Sequence, residues 1–190
     1  MLQNWRIFWR HRKALAGLQI LFVDVDGVLT DGSLHYDCNG EALKSFNVRD
    51  GAGIKMLQVL GIRVVMISGR DSAPLVARAR DLGLDGCQFG VADKGAACSG
   101  ALKQWNVSPS DSAFIGDDTI DLSAFEVCGM AVTVGDAPQY IKNRADIVLR
   151  HAGGHGAVRE FCDMVLKARE QTSLNQSSKG YLKYLGKMGQ

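Results

Sequence analysis

The chain has 190 residues, 46% of them hydrophobic and 22% charged, with 22 glycines and a formal net charge of +2. That describes an ordinary globular α/β chain and excludes a disordered, fibrous or membrane-spanning one, since no apolar run approaches the ~18 residues that a spanning helix needs. The charge is uneven. Seven of the 22 cations lie in residues 1–18 and 171–190, which hold no acid, so the body from 19 to 170 carries −5. An acidic body argues against nucleic acid as a partner, because phosphate contacts need a basic face.

In chain order, residues 1–18 ("MLQNWRIFWRHRKALAGL") form a basic segment predicted to be helical. It interleaves Trp with Arg and lacks the pattern of a secretory leader. It is expected to pack on the body, the alternative being a surface or partner contact. Short apolar runs then recur at 20–25, 63–68, 112–116, 130–134 and 146–149, and helix-like segments at 51–60, 72–82, 94–105, 119–127, 138–143 and 156–170. Strands alternating with helices of this length predict a Rossmann-like, doubly wound parallel sheet with helices on both faces over residues 19–170. Between the first two strands, "SLHYD" and "ALKSF" flank the turn-rich "CNGE" and read as a small β-hairpin flap. No insertion is long enough for a cap domain, so the site is expected to be open or covered by another subunit. The tail, 171–190, carries Lys179, Lys183 and Lys187; it reads as disordered, with a short amphipathic helix as the alternative. Five cysteines, widely spaced and without C-x-x-C, suggest reduced thiols in a cytoplasm rather than disulfides or zinc.

The polar residues collect at strand ends, where open α/β sheets bind ligands. "LFVDVDGVLTDG" places Asp24 and Asp26 two apart as the first strand gives out, on one face of the extended chain. Paired carboxylates repel each other, and oxygen ligands of this kind suit Mg²⁺, which takes one or two carboxylates and keeps waters. "GDDTID" adds Asp117, Asp118 and Asp121 after another strand, so Asp24 and Asp117 are the natural metal pair. Mg²⁺ beside a spare carboxylate suggests phosphoryl chemistry. Ser68, Gly69 and Arg70 ("SGR") would supply donors at a helix start, and Lys94 a cation at the start of its own helix.

"DVDGVLTDG", "ISGR", Lys94 and "GDDTIDL", in this order, resemble the four motifs of the haloacid dehalogenase superfamily of phosphotransferases over about residues 19–165. "FNVRDGAGIK" and "GGHGAVRE" resemble more narrowly its lidless 3-deoxy-D-manno-octulosonate 8-phosphate (KDO 8-phosphate) phosphatases. That resemblance implies a cytoplasmic, Mg²⁺-dependent homotetramer acting in lipopolysaccharide precursor synthesis, in which a neighbour's hairpin and tail help cover each site. The tail here departs from the family pattern. The resemblance also assigns roles. Asp24 is the nucleophile that forms an aspartyl phosphate, and Asp26 is the acid and then the base. The Asp24 carboxylate, the Asp26 carbonyl and Asp117 hold Mg²⁺. Ser68 and Lys94 grip the phosphoryl oxygens, Arg70 and Arg159 meet the substrate carboxylate, and Asp118 and Asp121 support the site from behind or cap helices.

Simpler readings attach to other residues. Asp31 belongs to a turn, Asp50 serves as a helix cap, His151 and His155 lie in a loop, and Trp105 and Phe125 belong to the core; His35 has some prospect of facing the site. "GGHGAVR" lacks the third glycine of a dinucleotide loop. Three rival functions stand beside the main one: a phosphatase for a nine-carbon, sialic acid type keto sugar acid phosphate, a signalling receiver, and a non-catalytic sugar-phosphate-binding module. The receiver fails on the D-x-D spacing and the late second acidic cluster, and the module on the intact set Asp24, Asp26, Lys94 and Asp117.

Overall fold

Buried strands without polar alternation fix the architecture. The structure, a computed structural model, describes residues 2–169 and 186; the tail expectation therefore lies outside the described residues. Helix α1 (Leu2–Gly17) leads into β1 (Ile20–Val23), and a hairpin follows, β2 (His35–Asp37) and β3 (Gly40–Leu43). Next come α2 (Val48–Val59), β4 (Arg63–Ile67), α3 (Ala73–Leu82), β5 (Gly86–Gln88) and α4 (Lys94–Trp105). The chain closes with β6 (Ser112–Gly116), α5 (Leu122–Val127), β7 (Ala131–Thr133), α6 (Gln139–Lys142), β8 (Ile147–Val148) and α7 (Ala157–Arg169). Every residue of β1 and β6 is buried, as continuous apolar strands covered on both faces must be.

Six strands form one parallel sheet in the order β5-β4-β1-β6-β7-β8. From β1 the chain winds outward through β4 and β5, then returns across β1 to wind the other way through β6, β7 and β8. The winding therefore reverses between β1 and β6, and a reversal of this kind opens a crevice at the strand carboxyl ends. Helices α1 and α2 pack on α7, while α4 packs on α5; right-handed crossovers put those two groups on opposite faces of the sheet.

Strand β5 has no counterpart among the predicted elements. It is a three-residue edge strand, "GCQ", with no buried residue, and it owes its place to pairing with β4 rather than to its own pattern. Helix α2 starts three residues before the predicted position because Asn47 caps it, its side chain accepting from the Arg49 N–H at 2.8 Å. Asp50 is therefore not a cap; it lies buried within α2. Helix α1 packs through Phe8 and Leu15 and leaves Trp9 exposed, with the Arg12 guanidinium 5.1 Å over its ring. At the other end Arg169 donates to the Leu60 carbonyl at 3.0 Å and to the Leu18 carbonyl, tying α7 to the ends of α2 and α1.

Candidate active site

Register brings the two acidic segments together. β1 pairs Val23 with Met66 on one side and with Ile115 on the other, so the residues just past these strands, Asp24, Ser68 and Asp117, converge at the crevice. The Asp24 N–H continues the ladder to the Ile115 carbonyl at 3.0 Å. The chain then coils tightly, with the Val28, Leu29 and Thr30 N–H groups all donating to the Val25 carbonyl. Gly27 sits in this coil at φ +85°, and a Cβ there would fall 2.1 Å from Asp117 Oδ2. Only glycine lets the coil pass so close to that carboxylate. Gly153 closes on the coil from the other side, since a Cβ there would fall 1.8 Å from the Gly27 carbonyl oxygen. The loop bearing Gly153 is fixed by Glu160, which accepts from the Arg150 and His151 N–H groups and from both of their side chains. "GGHGAVR" is thus a packing loop against the Asp24–Thr30 segment, and His151 a loop residue as expected.

Lys94, the first residue of α4, is 1% exposed. Its ammonium lies 2.7 Å from Asp24 Oδ1 and 2.6 Å from Asp121 Oδ1. Asp121 is wholly buried, and its second oxygen accepts the N–H groups of Asp117 at 2.9 Å and Asp118 at 3.1 Å. It therefore supports both the lysine and the turn that presents Asp117. Asp118 does something different: its carboxylate faces outward as a cap, accepting from the Thr119 N–H at 2.6 Å and the Tyr140 hydroxyl at 3.1 Å.

Oxygens of Asp24, Asp117 and Asp121 lie within 4.8 Å of one another. Burial and the Asp121 charge raise the Asp24 carboxyl well above the usual carboxylate range, with Lys94 opposing. Burial and the charges of Asp121 and Asp118 push Asp117 up to about 7. Asp117 Oδ1 is buried with no hydrogen-bond partner. One ammonium against three acids leaves the group short of positive charge, and a buried carboxylate oxygen without a hydrogen-bond partner has its lone pairs free to ligate a cation. The residues present fit a hard divalent cation such as Mg²⁺. Both oxygens of Asp121 are already engaged, so Asp24 and Asp117 are the carboxylates with capacity to spare.

Ser68 is buried, and its hydroxyl accepts the Arg70 N–H at 3.0 Å. The expectation of a helix start here is corrected. Helix α3 begins only at Ala73, so Ser68, Gly69 and Arg70 form a loop, pinned to the next strand by the Ser68 N–H on the Gln88 carbonyl. Asp26 turns toward the hairpin, where it pairs with Lys44 and, at 3.8 Å, with Arg70 Nε. Lys44 was not among the sequence candidates. The available signal was a single lysine in an otherwise cation-free hairpin. Arg70 also donates to the Tyr36 hydroxyl at 3.2 Å. Arg159 is tied instead into the packing of α7 on α2: its N–H donates to Asp50 at 2.7 Å and its Nε to Asp163 at 2.8 Å. Of the two arginines expected at a substrate carboxylate, Arg70 is the one these contacts join to Asp26. Asp31 holds a turn by accepting the Ser33 N–H at 2.9 Å, and His35 lies exposed on β2.

A sheet that reverses between two acid-bearing strands, with a buried lysine bridging the acids, defines a haloacid dehalogenase-like hydrolase. The family profile described by that name matches residues 90–161. The 3-deoxy-D-manno-octulosonate 8-phosphate phosphatase KdsC of Haemophilus influenzae is 49% identical over 179 residues, 94% of this chain and 99% of the relative. The cobalt-bound form of the H. influenzae phosphatase superposes with a TM-score of 0.84 at 49% identity, covering 89% of this chain and 99% of that one. The Moraxella catarrhalis phosphatase, crystallised with a magnesium ion, a phosphate ion and KDO, gives 0.84 at 32% identity, with coverage of 92% and 98%. The chain belongs to the 3-deoxy-D-manno-octulosonate 8-phosphate phosphatase family.

Proposed function

We propose that this chain is a Mg²⁺-dependent phosphomonoesterase that hydrolyses 3-deoxy-D-manno-octulosonate 8-phosphate to the free sugar acid and inorganic phosphate. The observation that carries the reading is the buried Asp24–Lys94–Asp121 contact set with the orphaned Asp117 oxygen beside it, in a chain 49% identical to a phosphatase of that name.

In this reading Asp24 attacks phosphorus, the P–O ester bond breaks, and the Asp26 proton goes to the leaving alkoxide. Water then attacks the phosphorus of the aspartyl phosphate, Asp26 takes its proton, and phosphate leaves with Asp24 and protonated Asp26 restored. Splitting the displacement this way needs a carboxyl group at position 26 in both halves, as an acid in the first and as a base in the second. Asp24, Asp117 and the Asp26 main-chain carbonyl would hold Mg²⁺, which when bound neutralises charge building on the phosphoryl oxygens. Lys94 holds Asp24 in place at 2.7 Å and favours its ionised form, opposing burial and the Asp121 charge. Its own ammonium stays charged because, although burial pulls it down, Asp24 and Asp121 more than offset that. Ser68, Gly69 and Arg70 close the phosphate site with hydroxyl and N–H donors, and Arg70 reaches toward the sugar acid's carboxylate.

A homotetramer in the cytoplasm belongs to the same proposal. It is supported by the hairpin, which leaves Leu34, Tyr36 and Leu43 exposed beside a site that has no cap domain among the described residues, and by five free cysteines. No helix of the described residues is long and apolar enough to cross a membrane.

The test is phosphate release from a panel of sugar phosphates, with Mg²⁺ or with EDTA, by the wild type and Asp24→Asn. Preferred release from the eight-carbon keto acid phosphate, abolished by EDTA and by the substitution, is expected. Preference for the nine-carbon analogue would move the substrate, and no release from any ester by the folded protein would sink the enzyme reading.

A further inference from the structure

The hairpin is exposed along nearly its whole length, yet the residue directly after β3, Lys44, has a side chain with no solvent exposure. A lysine is almost never fully buried unless paired, and here the partners are two carboxylates, Asp26 and, at 2.5 Å, Glu41 Oε1. Burial pulls the ammonium down while Asp26 and Glu41 more than offset it, so the group remains a cation. Among the described residues the Asp26 carboxylate is held at both ends by cations: Oδ1 by Lys44 and Oδ2, at 3.8 Å, by Arg70. Arg70 is itself bonded to Tyr36 of the hairpin. Asp26 thus takes its side-chain orientation from the flap rather than from the loop that carries it.

We propose that Lys44 is a positioning residue for the acid–base step, fixing the Asp26 carboxylate in the orientation from which it serves the leaving oxygen and then the water, with Glu41 as its permanent counter-ion. This rests on the reading of Asp26 as acid and base. The second carboxylate explains itself in this scheme: when Asp26 carries its proton, Glu41 keeps Lys44 from being stranded as an unpaired buried charge. The same pairing rules out Lys44 as a reader of the substrate carboxylate, because its charge is already consumed by two acids. The flap and the acid–base group are therefore one mechanical unit, and a displaced hairpin takes Asp26 out of alignment.

The deciding experiment compares two esters in single-turnover phosphoryl transfer with Mg²⁺: KDO 8-phosphate, whose alkoxide must be protonated on leaving, and p-nitrophenyl phosphate, whose phenolate leaves without help. Lys44→Met, which keeps length but removes charge, is expected to slow transfer from the sugar ester at least about 10-fold, a part of the roughly 100-fold or more that a general acid contributes, since the Asp26 carboxyl itself remains. Transfer from the aryl ester is expected to fall much less. Lys44→Arg should recover most of the sugar-ester rate, and Glu41→Gln should give a smaller loss with the same selectivity. An equal fall for both esters would show a merely structural lysine and overturn the proposal, as would no fall for either. Melting curves establish that the variants fold; if Lys44→Met does not, Glu41→Gln decides by the same ratio. Wild-type turnover of p-nitrophenyl phosphate without turnover of KDO 8-phosphate would refute the substrate reading alone, and the comparison would then use whichever alkyl phosphate the panel selects.

Discussion

Replacing Asp121 by asparagine removes one charge from a wholly buried side chain that serves three directed contacts: the Lys94 ammonium on Oδ1 and the Asp117 and Asp118 N–H groups on Oδ2. The amide has one acceptor where the carboxylate has two. If its oxygen faces Lys94, its NH₂ meets two N–H donors; if it turns around, the NH₂ meets the ammonium. Each orientation leaves buried donors unpaired, at about 1–3 kcal/mol. Removing one partner of a buried ion pair costs about 3–5 kcal/mol, and because Lys94 keeps Asp24 the lower end applies, about 3 kcal/mol in total. An opposing effect is real: the Asp121 charge is among the causes that raise Asp24 and Asp117, so its loss relieves repulsion. Asp117, raised to about 7, already avoids part of that repulsion by holding a proton below that pH, and the unpaired donors decide the sign. At roughly 2–4 °C per kcal/mol for a chain of this size, the melting temperature should fall about 6–12 °C. Circular dichroism melts in EDTA, which exclude any metal contribution, read this directly. A fall below about 2 °C, or a rise, would refute the reasoning and show that charge repulsion dominates the cluster.

Gly27→Ala puts a methyl group 2.1 Å from Asp117 Oδ2 at a φ of +85°; displacing that carboxylate by roughly an ångström should lower turnover about 100-fold and weaken Mg²⁺ activation, and an unchanged Mg²⁺ titration would contradict this. With Asp117 raised to about 7 by burial and by Asp121 and Asp118, Mg²⁺ must displace a proton below that pH. Its affinity, read by calorimetry, should climb up to about tenfold per pH unit toward 7 and then level off, whereas a flat profile would remove Asp117 from the ligand set. The same shift makes the metal-free fold bind more protons than the unfolded chain between about 4 and 7, so its stability should decline as pH rises through that window, Asp117 contributing at most ~1.4 kcal/mol per unit and the raised Asp24 adding in the same direction, and Mg²⁺ should cancel the decline. If the chain forms the proposed homotetramer, Tyr36→Ser combined with Leu43→Ser should shift it toward smaller species in sedimentation velocity; an unchanged mass would place any subunit contact off the hairpin.

Much of the fold was legible because strands buried on both faces must be continuous apolar runs, and "ILFV", "VVMI" and "AFI" are such runs. The strand that escaped, β5, has no apolar run and exists through its pairing with β4. The acids at the strand ends were legible for the converse reason: a carboxylate directly after a buried strand is costly unless something compensates it, so Asp24 and Asp117 stand out against their neighbours. Their partners were harder to weigh. Asp118 and Asp121 are three apart in one short motif, yet one is an exposed cap and the other a wholly buried support, a difference set by which way a single 3₁₀ turn, Thr119–Asp121, faces. Arg159 and Lys44 have contacts that local sequence did not indicate. The arginine, in a recognisable motif, is engaged by Asp163 one turn along its own helix, and the lysine, in an unremarked hairpin, reaches Asp26.

The sequence by itself determined the alternation of strand and helix, the chemistry of the acid and lysine motifs, and their order, because side-chain periodicity and desolvation cost act locally along the chain. Only the tertiary structure decided that the winding reverses between β1 and β6, that Lys94 bridges Asp24 and Asp121, and that a hairpin lysine pairs with Asp26. Those contacts join residues 18 to 92 positions apart, and a contact of that separation is specified by how the layers pack, which no local pattern encodes.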